Sequence, residues 1–407
     1  MDTHQSNKLQ ITIAEQAVKK IAPQGAIFLL CEIGNMTLKI RFSTFFAPIL
    51  VVMAAMSGCQ SQSLLEGAGG VAPVPTSAQM AVPVPFAWGG EVRCGAAGCL
   101  LAAVEHENNM LALHRIDGRK STLLDRVQVG YHPDSAAWLA DDLLVAAVEG
   151  TASLDVFRVR GSKLDRLQQI KVGFSPRDVM VVKADGGRYT LLVSPYNGKE
   201  VAWVLDWAVD DQQAPNVKKV SWCEVAWHPT RLKKVVGING SAIAAACLDD
   251  KQLVAVPESN LLSAPVVVAR FSAISRNARP SPQGNWVYVS LETGGRNARV
   301  NAETGELQMI ASPLTGSVSV APLDEHVVIW GEDRELYLQR LDEKGMVVET
   351  RWHAVSGFAT SLQLLDIDGD GERDVVAFNS GGEVIDVVYG PLWDRASQSR
   401  LLKQRAQ

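Results

Sequence analysis

Val129-Gly130-Tyr131-His132-Pro133 returns as Val172-Gly173-Phe174-Ser175-Pro176 and again as Val225-Ala226-Trp227-His228-Pro229. A small residue, an aromatic, a polar residue and a proline in that order mark a turn that feeds an extended segment. Looser copies stand at Phe271-Ser272-Ala273, Leu314-Thr315-Gly316 and Ser356-Gly357-Phe358. With Gly130, Gly173, Ala226, Ala273, Gly316 and Gly357 as register points, the steps are 43, 53, 47, 43 and 41 residues, and one step back lands on Ala87. Seven register points imply seven units.

Between the markers lie short aliphatic or β-branched runs cut by Gly, Asp and Asn turns. Leu100–Val104, Leu143–Val148, Tyr189–Val193, Ala242–Cys247, Trp286–Ser290, Val327–Trp330 and Asp374–Phe378 are such runs. Second strands follow at Met110–Ile116, Leu154–Val159 and Leu336–Leu341. Three or four strands every forty to fifty residues predict an all-β, seven-bladed β-propeller over 86–390, in which blades that cannot bury their own faces pack round a ring. Six or eight blades are the alternatives. Closure of the last blade calls for a strand from the other end of the chain, read here as Val82–Val92.

Asp366-Ile367-Asp368-Gly369-Asp370-Gly371-Glu372-Arg373-Asp374 has metal-binding chemistry. Alternating carboxylates on a tight turn converge oxygens as a calcium-sized cation requires, and the Glu372 carbonyl offers one more. Position 12 is Ala377 where an EF-hand has Glu, so the loop joins two strands. The strand, DxDGDGxxD, strand pattern resembles the FG-GAP/VCBS repeats of integrin-type propellers, over Phe358–Tyr389. The resemblance implies structural calcium held by Asp366, Asp368, Asp370, Glu372 and Asp374. Ser281-Pro282-Gln283-Gly284-Asn285-Trp286-Val287-Tyr288-Val289 resembles the SPDGxxVYV run of YVTN and lactonase-like propellers, and Asp178–Asp206 resembles a VCBS blade that keeps only Asp185 as a ligand.

At the other end, Lys39 and Arg41 precede the apolar run Phe45–Met56 and then Met56-Ser57-Gly58-Cys59. A basic start, a short apolar core and small residues before a cysteine read as an export signal. The ending resembles a bacterial lipobox, which implies cleavage before Cys59, lipidation of Cys59, and, with Gln60 following, placement at the outer membrane on its periplasmic or cell-surface side. Residues 1–35 then read as an upstream extension, 36–58 as signal peptide, 59–85 as a flexible linker rich in Ala, Pro, Gly and Ser, and 391–407 as a basic, helical surface tail.

Four body cysteines fit an oxidising compartment. Cys94 with Cys99 and Cys223 with Cys247 is one of three connectivities, with free thiols as the alternative. A net charge of −5 and no long basic run argue against nucleic acid. No GxSxG, HExxH or phosphate-loop motif occurs. His132 and His228 occupy equivalent positions before Pro133 and Pro229, so they are candidate contacts at the channel rim, or simply residues of a recurring turn. Glu105, His106 and Glu107 precede Asn108-Asn109 and read as a solvated turn. The expectation is a lipid-anchored, non-catalytic binding or assembly scaffold with a protein partner in the envelope, in which acids and histidines do not meet in the channel. A lactonase-like hydrolase would bring them together, and a glycan binder would expose a row of tryptophans.

Overall fold

A computed structural model describes residues 26–33, 36–43, 78–96, 98–209, 214–395 and 397–398. The chain divides into two units, Met1–Val71 and Ala72–Gln407. In the first, Ala26–Ile33 pairs antiparallel with Met36–Ser43. The apolar run Phe45–Met56 and Cys59 lie outside the described residues.

The second unit is a seven-bladed β-propeller built from seven antiparallel sheets. Blade one runs through Ala87–Gly95, Gly98–Glu105, Met110–Asp117 and Lys120–Gln128 from the centre outward. The innermost strands of the other six are Pro133–Ala140, Pro176–Asp185, Ala226–Leu232, Ser275–Pro280, Ser319–Pro322 and Phe358–Leu365. Each lies beside the next, and the seventh lies beside the first. Every register point falls at, or within three residues before, the start of one of these strands. The marker is therefore the connection that carries the chain from one blade's outer edge to the next blade's centre. Small residues are needed where that connection crosses the end of a second strand. A Cβ on Gly130 would lie 2.7 Å from Val148 Cγ1, and one on Gly316, at φ +155°, would lie 2.0 Å from the Leu291 carbonyl oxygen.

Period-two alternation divides each middle strand between two interfaces. Leu101 and Ala103 pack into the core shared with blade seven, beside Val376 and Phe378. Ala102 and Val104 pack against blade two, beside Trp138, Leu144 and Ala146. Both faces are covered, so such strands read as unbroken apolar runs; all six residues of Ala242–Cys247 are buried. Burying each larger aliphatic side chain contributes about 1.5–3 kcal/mol, so the blade interfaces hold the ring together.

Two boundaries differ from those expected. The outermost strand of blade seven is Gln79–Pro83, paired with Val384–Val388, and Ala87–Gly95 opens blade one. The closing strand thus comes from the stretch read as linker, because Met80 and Val82 fill the core beside Ile385 and Val387. Among the described residues after Pro391, Leu392–Arg395 form one helical turn, and Ser397–Gln398 then adds to the edge of blade six at Arg351 and Trp352. Leu392 is buried between blades six and seven, so this part of the tail belongs to the body.

Candidate functional site

One face of the ring is formed by the connections into the innermost strands and by the turns after the second strands. On it the polar and aromatic residues of five successive blades form a continuous row. Tyr131 stacks on His132 at 3.7 Å between ring centroids, His132 on His106 at 4.3 Å, and His106 on Trp88 at 4.5 Å. The Arg177 guanidinium then lies 4.6 Å from the centre of Trp88 and 4.7 Å from that of Trp227, with Arg276 5.1 Å from Trp227 on the far blade. Such cation–aromatic contacts contribute about 0.5–2 kcal/mol each where water is excluded. Arg177 donates to Asp134 Oδ1 at 2.8 Å, and both side chains are buried. Arg276 is paired with Glu292 at 2.6 Å.

The two histidines expected at the rim hold equivalent backbone positions, both with left-handed φ (49° and 48°), but they have different partners. His132 Nδ1 faces Glu149 at 3.6 Å. His228 faces Asp178, with Nδ1 3.4 Å from Oδ1 while its backbone N–H donates to Oδ2 at 3.0 Å. Only His228 lines the channel. The cavity there is about 250 Å³ and is bounded by Trp88, Glu91, Ser135, Asp178, His228 and Arg279. Arg279 and Glu91 also border a wider cavity of about 610 Å³ toward the opposite face, with Arg373.

The electrostatics of the channel follow from burial. Burial lowers the His228 pKa to about 4, with Asp178 opposing and the nearby arginines assisting, so the imidazole is neutral at neutral pH. Burial would raise Asp178, but His228, Arg177, the His228 N–H and Arg279 outweigh it and hold the acid below its usual range. Glu91 is pushed up by burial, against a 2.7 Å hydrogen bond from the Trp138 N–H and the charge of Arg93. An acid and a histidine therefore do meet in the channel, contrary to expectation for a pure scaffold. The Ser135 hydroxyl on the same wall has no hydrogen-bond partner among the described residues.

The solvated-turn reading of Glu105-His106-Glu107 holds only for Glu107. Glu105 is buried and takes a bidentate contact from Arg126, with Nε at 2.7 Å. His106 is buried, and its Nδ1 lies 3.2 Å from the Pro133 carbonyl oxygen and 3.3 Å from Asp134 Oδ1. A charged tripeptide before Asn-Asn gives no sign of this, because Arg126 comes from the outermost strand of the same blade and the groups on His106 come from the next blade. Nor do the tryptophans form an exposed row: Trp88 and Trp227 are stacked by His106 and the arginines, and Trp203 and Trp330 are fully buried.

On the opposite rim, the acidic loop joins the first two strands of blade seven, as expected from its sequence. Asp366, Asp368 and Asp374 bring carboxylate oxygens within 4.8 Å of one another; Asp370 and Glu372 stay outside that group. Asp374 is fully buried, and burial, with the charges of Asp368 and Asp370, raises its pKa against hydrogen bonds from Gly390 and Ile367. Asp368 Oδ1 is buried without a hydrogen-bond partner among the described residues, a position suited to a cation. Arg119 of blade one reaches Asp368 Oδ2 at 3.2 Å and supplies part of the neutralising charge. Asp185 is outside this group and is exposed beside Lys183.

Both expected cysteine pairs are bonded. Cys94–Cys99 closes the first hairpin of blade one, and Cys223–Cys247 ties the entry of blade four to the end of its second strand.

No family model matches the chain, and no curated protein sequence matches it. Solved structures do share the fold. Sqt1 of Saccharomyces cerevisiae superposes with a TM-score of 0.55 at 10% identity, covering 77% of this chain and 98% of that one. A KlHsv2 variant with loop 6CD replaced by a Gly-Ser linker gives 0.49 at 10% identity, over 72% and 90%. At such identity the Sqt1 likeness shows the propeller fold alone.

Proposed function

We propose that this chain is an envelope β-propeller, anchored through a lipid on Cys59 at the outer membrane, that works as a non-catalytic binding or assembly scaffold for a protein partner. The observation that carries this reading is the row from Tyr131 to Arg276. It crosses five blades, combines two histidines with the tyrosine, tryptophan and arginine side chains that dominate protein interfaces, and is held in place by stacking and ion pairs before any partner arrives. Calcium on Asp366, Asp368 and Asp374, with the Asp370 and Glu372 parts of the loop closing over it, serves as a staple in the last blade, in the manner of an FG-GAP repeat.

The test is site-directed photocrosslinking in intact envelopes. A crosslinker at the exposed Tyr131 should give one discrete protein adduct, and one at Leu262 on the outer edge should give none. Equal labelling from both positions would overturn the reading. Replacing Cys59 by Ser should move the protein to the soluble fraction; unchanged partitioning would remove the anchor.

A second reading rests on Asp178 and His228: a hydrolase acting on a small molecule in the channel. It requires turnover of lactone or ester substrates that disappears in His228→Gln.

A further inference from the structure

We propose that His106, His132 and Glu107 form a binding site for a divalent transition-metal ion of the zinc, nickel or copper(II) class, separate from the acidic loop on the opposite rim. One ring nitrogen from each histidine and one carboxylate oxygen of Glu107 all lie within 4.8 Å of one another. Two imidazoles with one carboxylate are donors of intermediate softness, which select this class of ion over calcium or magnesium.

Convergence alone would be weak evidence, since polar side chains gather on many surfaces. The groups behind the rings add to it. His106 Nδ1 is engaged by the Pro133 carbonyl oxygen at 3.2 Å, with Asp134 Oδ1 at 3.3 Å. His132 Nδ1 faces the Glu149 carboxylate at 3.6 Å. An acceptor on Nδ1 places the proton there and leaves Nε2 with its lone pair outward, the arrangement that orients and strengthens a metal-binding imidazole. Both rings have it: for His106 the acceptors come from the next blade, and for His132 Glu149 is held in place by the blade-two hairpin, its backbone N–H donating to the His132 carbonyl at 3.0 Å. Stacking of the His106 ring against Trp88 and of the His132 ring against Tyr131 fixes their planes further.

The burial pattern suits an ion that enters from solvent. His106 is buried, His132 is intermediate and Glu107 is exposed, so the site has a fixed inner ligand and an accessible outer one. Metal bonds of about 2.0–2.2 Å require the donors to draw inward by roughly 1 Å, a movement that the exposed Glu107 side chain can make. Three protein ligands leave a fourth position open on the face of the ring. A donor group of a bound partner or a water molecule fills it.

The experiment uses the full mature protein without a polyhistidine tag, stripped with chelator and titrated calorimetrically with zinc chloride. One equivalent should bind, and affinity should fall at least tenfold in His132→Gln and in Glu107→Gln, while Asp368→Ala leaves it unchanged. Glu149→Gln should weaken binding by roughly 10- to 100-fold, as loss of a group behind a ligand does. Because His106 is buried and its variant is at risk of misfolding, its part is read from the parent: electron paramagnetic resonance of the copper(II) form should show coupling to two imidazole nitrogens. Absence of stoichiometric zinc binding, parental affinity in a folded His132→Gln, or a copper spectrum without two nitrogens would overturn the proposal.

Discussion

Asp368 and Arg119 meet across the seam of the ring, the carboxylate of blade seven accepting from the guanidinium of blade one at 3.2 Å. The same seam holds the Tyr389 hydroxyl, which donates to the Gly118 carbonyl at 3.0 Å, and the Arg119 guanidinium lies over the Tyr389 ring. The acidic loop thus bears on how the last blade meets the first as well as on its own two strands. Calcium should therefore raise the melting temperature, by about 2.7 kcal/mol of stabilisation at a hundredfold excess over its dissociation constant. Differential scanning calorimetry of the parent and of an Asp366→Asn, Asp368→Asn double variant checks this; an identical calcium response in the two would remove the site. Arg119→Gln alone should cost no more than about 1 kcal/mol, because the arginine is partly exposed.

Val82 is fully buried in the closing strand. Val82→Asp places an unpaired charge in the core between blades seven and one, so it should destabilise by roughly 3 kcal/mol or more. Chemical denaturation followed by tryptophan fluorescence should show an earlier midpoint. A midpoint equal to the parent's would mean that the strand contributes nothing to closure.

Asp134 and Arg177 form a buried pair. Arg177→Met should cost about 3–5 kcal/mol, because it leaves the carboxylate buried without its counter-charge. Asp134→Asn combined with Arg177→Met should recover much of that loss. A double variant as unstable as the two single losses summed would show that the arginine acts through its aromatic contacts instead.

His114 is buried, and neither ring nitrogen has a hydrogen-bond partner among the described residues. Burial lowers its pKa to about 4, against the charge of Glu105. Between the usual histidine value near 6.5 and that lower one, the unfolded chain binds the proton and the folded chain does not. Stability therefore falls as pH falls from about 6.5 toward 4, and His228 adds to the slope in the same direction. Thermal melts across that range should show the decline, and His114→Phe should flatten it.

Seven blades were legible because the connection into each innermost strand has a steric requirement that repeats, and because strands buried on both faces spell unbroken apolar runs such as Leu143–Val148. Outer strands were not legible. Lys120–Gln128 and Asn216–Ser221 are largely exposed and carry lysines, so their pattern is that of a polar loop. Gln79–Pro83 was hidden for a different reason: a short alternation of Met80 and Val82 within a Pro- and Ala-rich stretch has no partner nearby in sequence. The site divides in the same way. The acidic loop was legible because its acids are adjacent in the chain, and His132 and His228 because they share a phase. Their partners were not, since Asp178, His106 and Arg177 are brought in by strands that are not neighbours in sequence, and Glu149 reaches His132 only through the register of the blade-two hairpin.

The pairing of Gln79–Pro83 with blade seven also sets the timing of folding. A chain synthesised from its N-terminus carries this strand with an open edge until Val384–Val388 exists, and the contacts it then makes span 309 residues between Met80 and Tyr389. Contacts so distant in sequence form slowly. Completion of the ring therefore waits on Val384–Val388, and until that strand is in place the first strand of the propeller has no partner in its own blade.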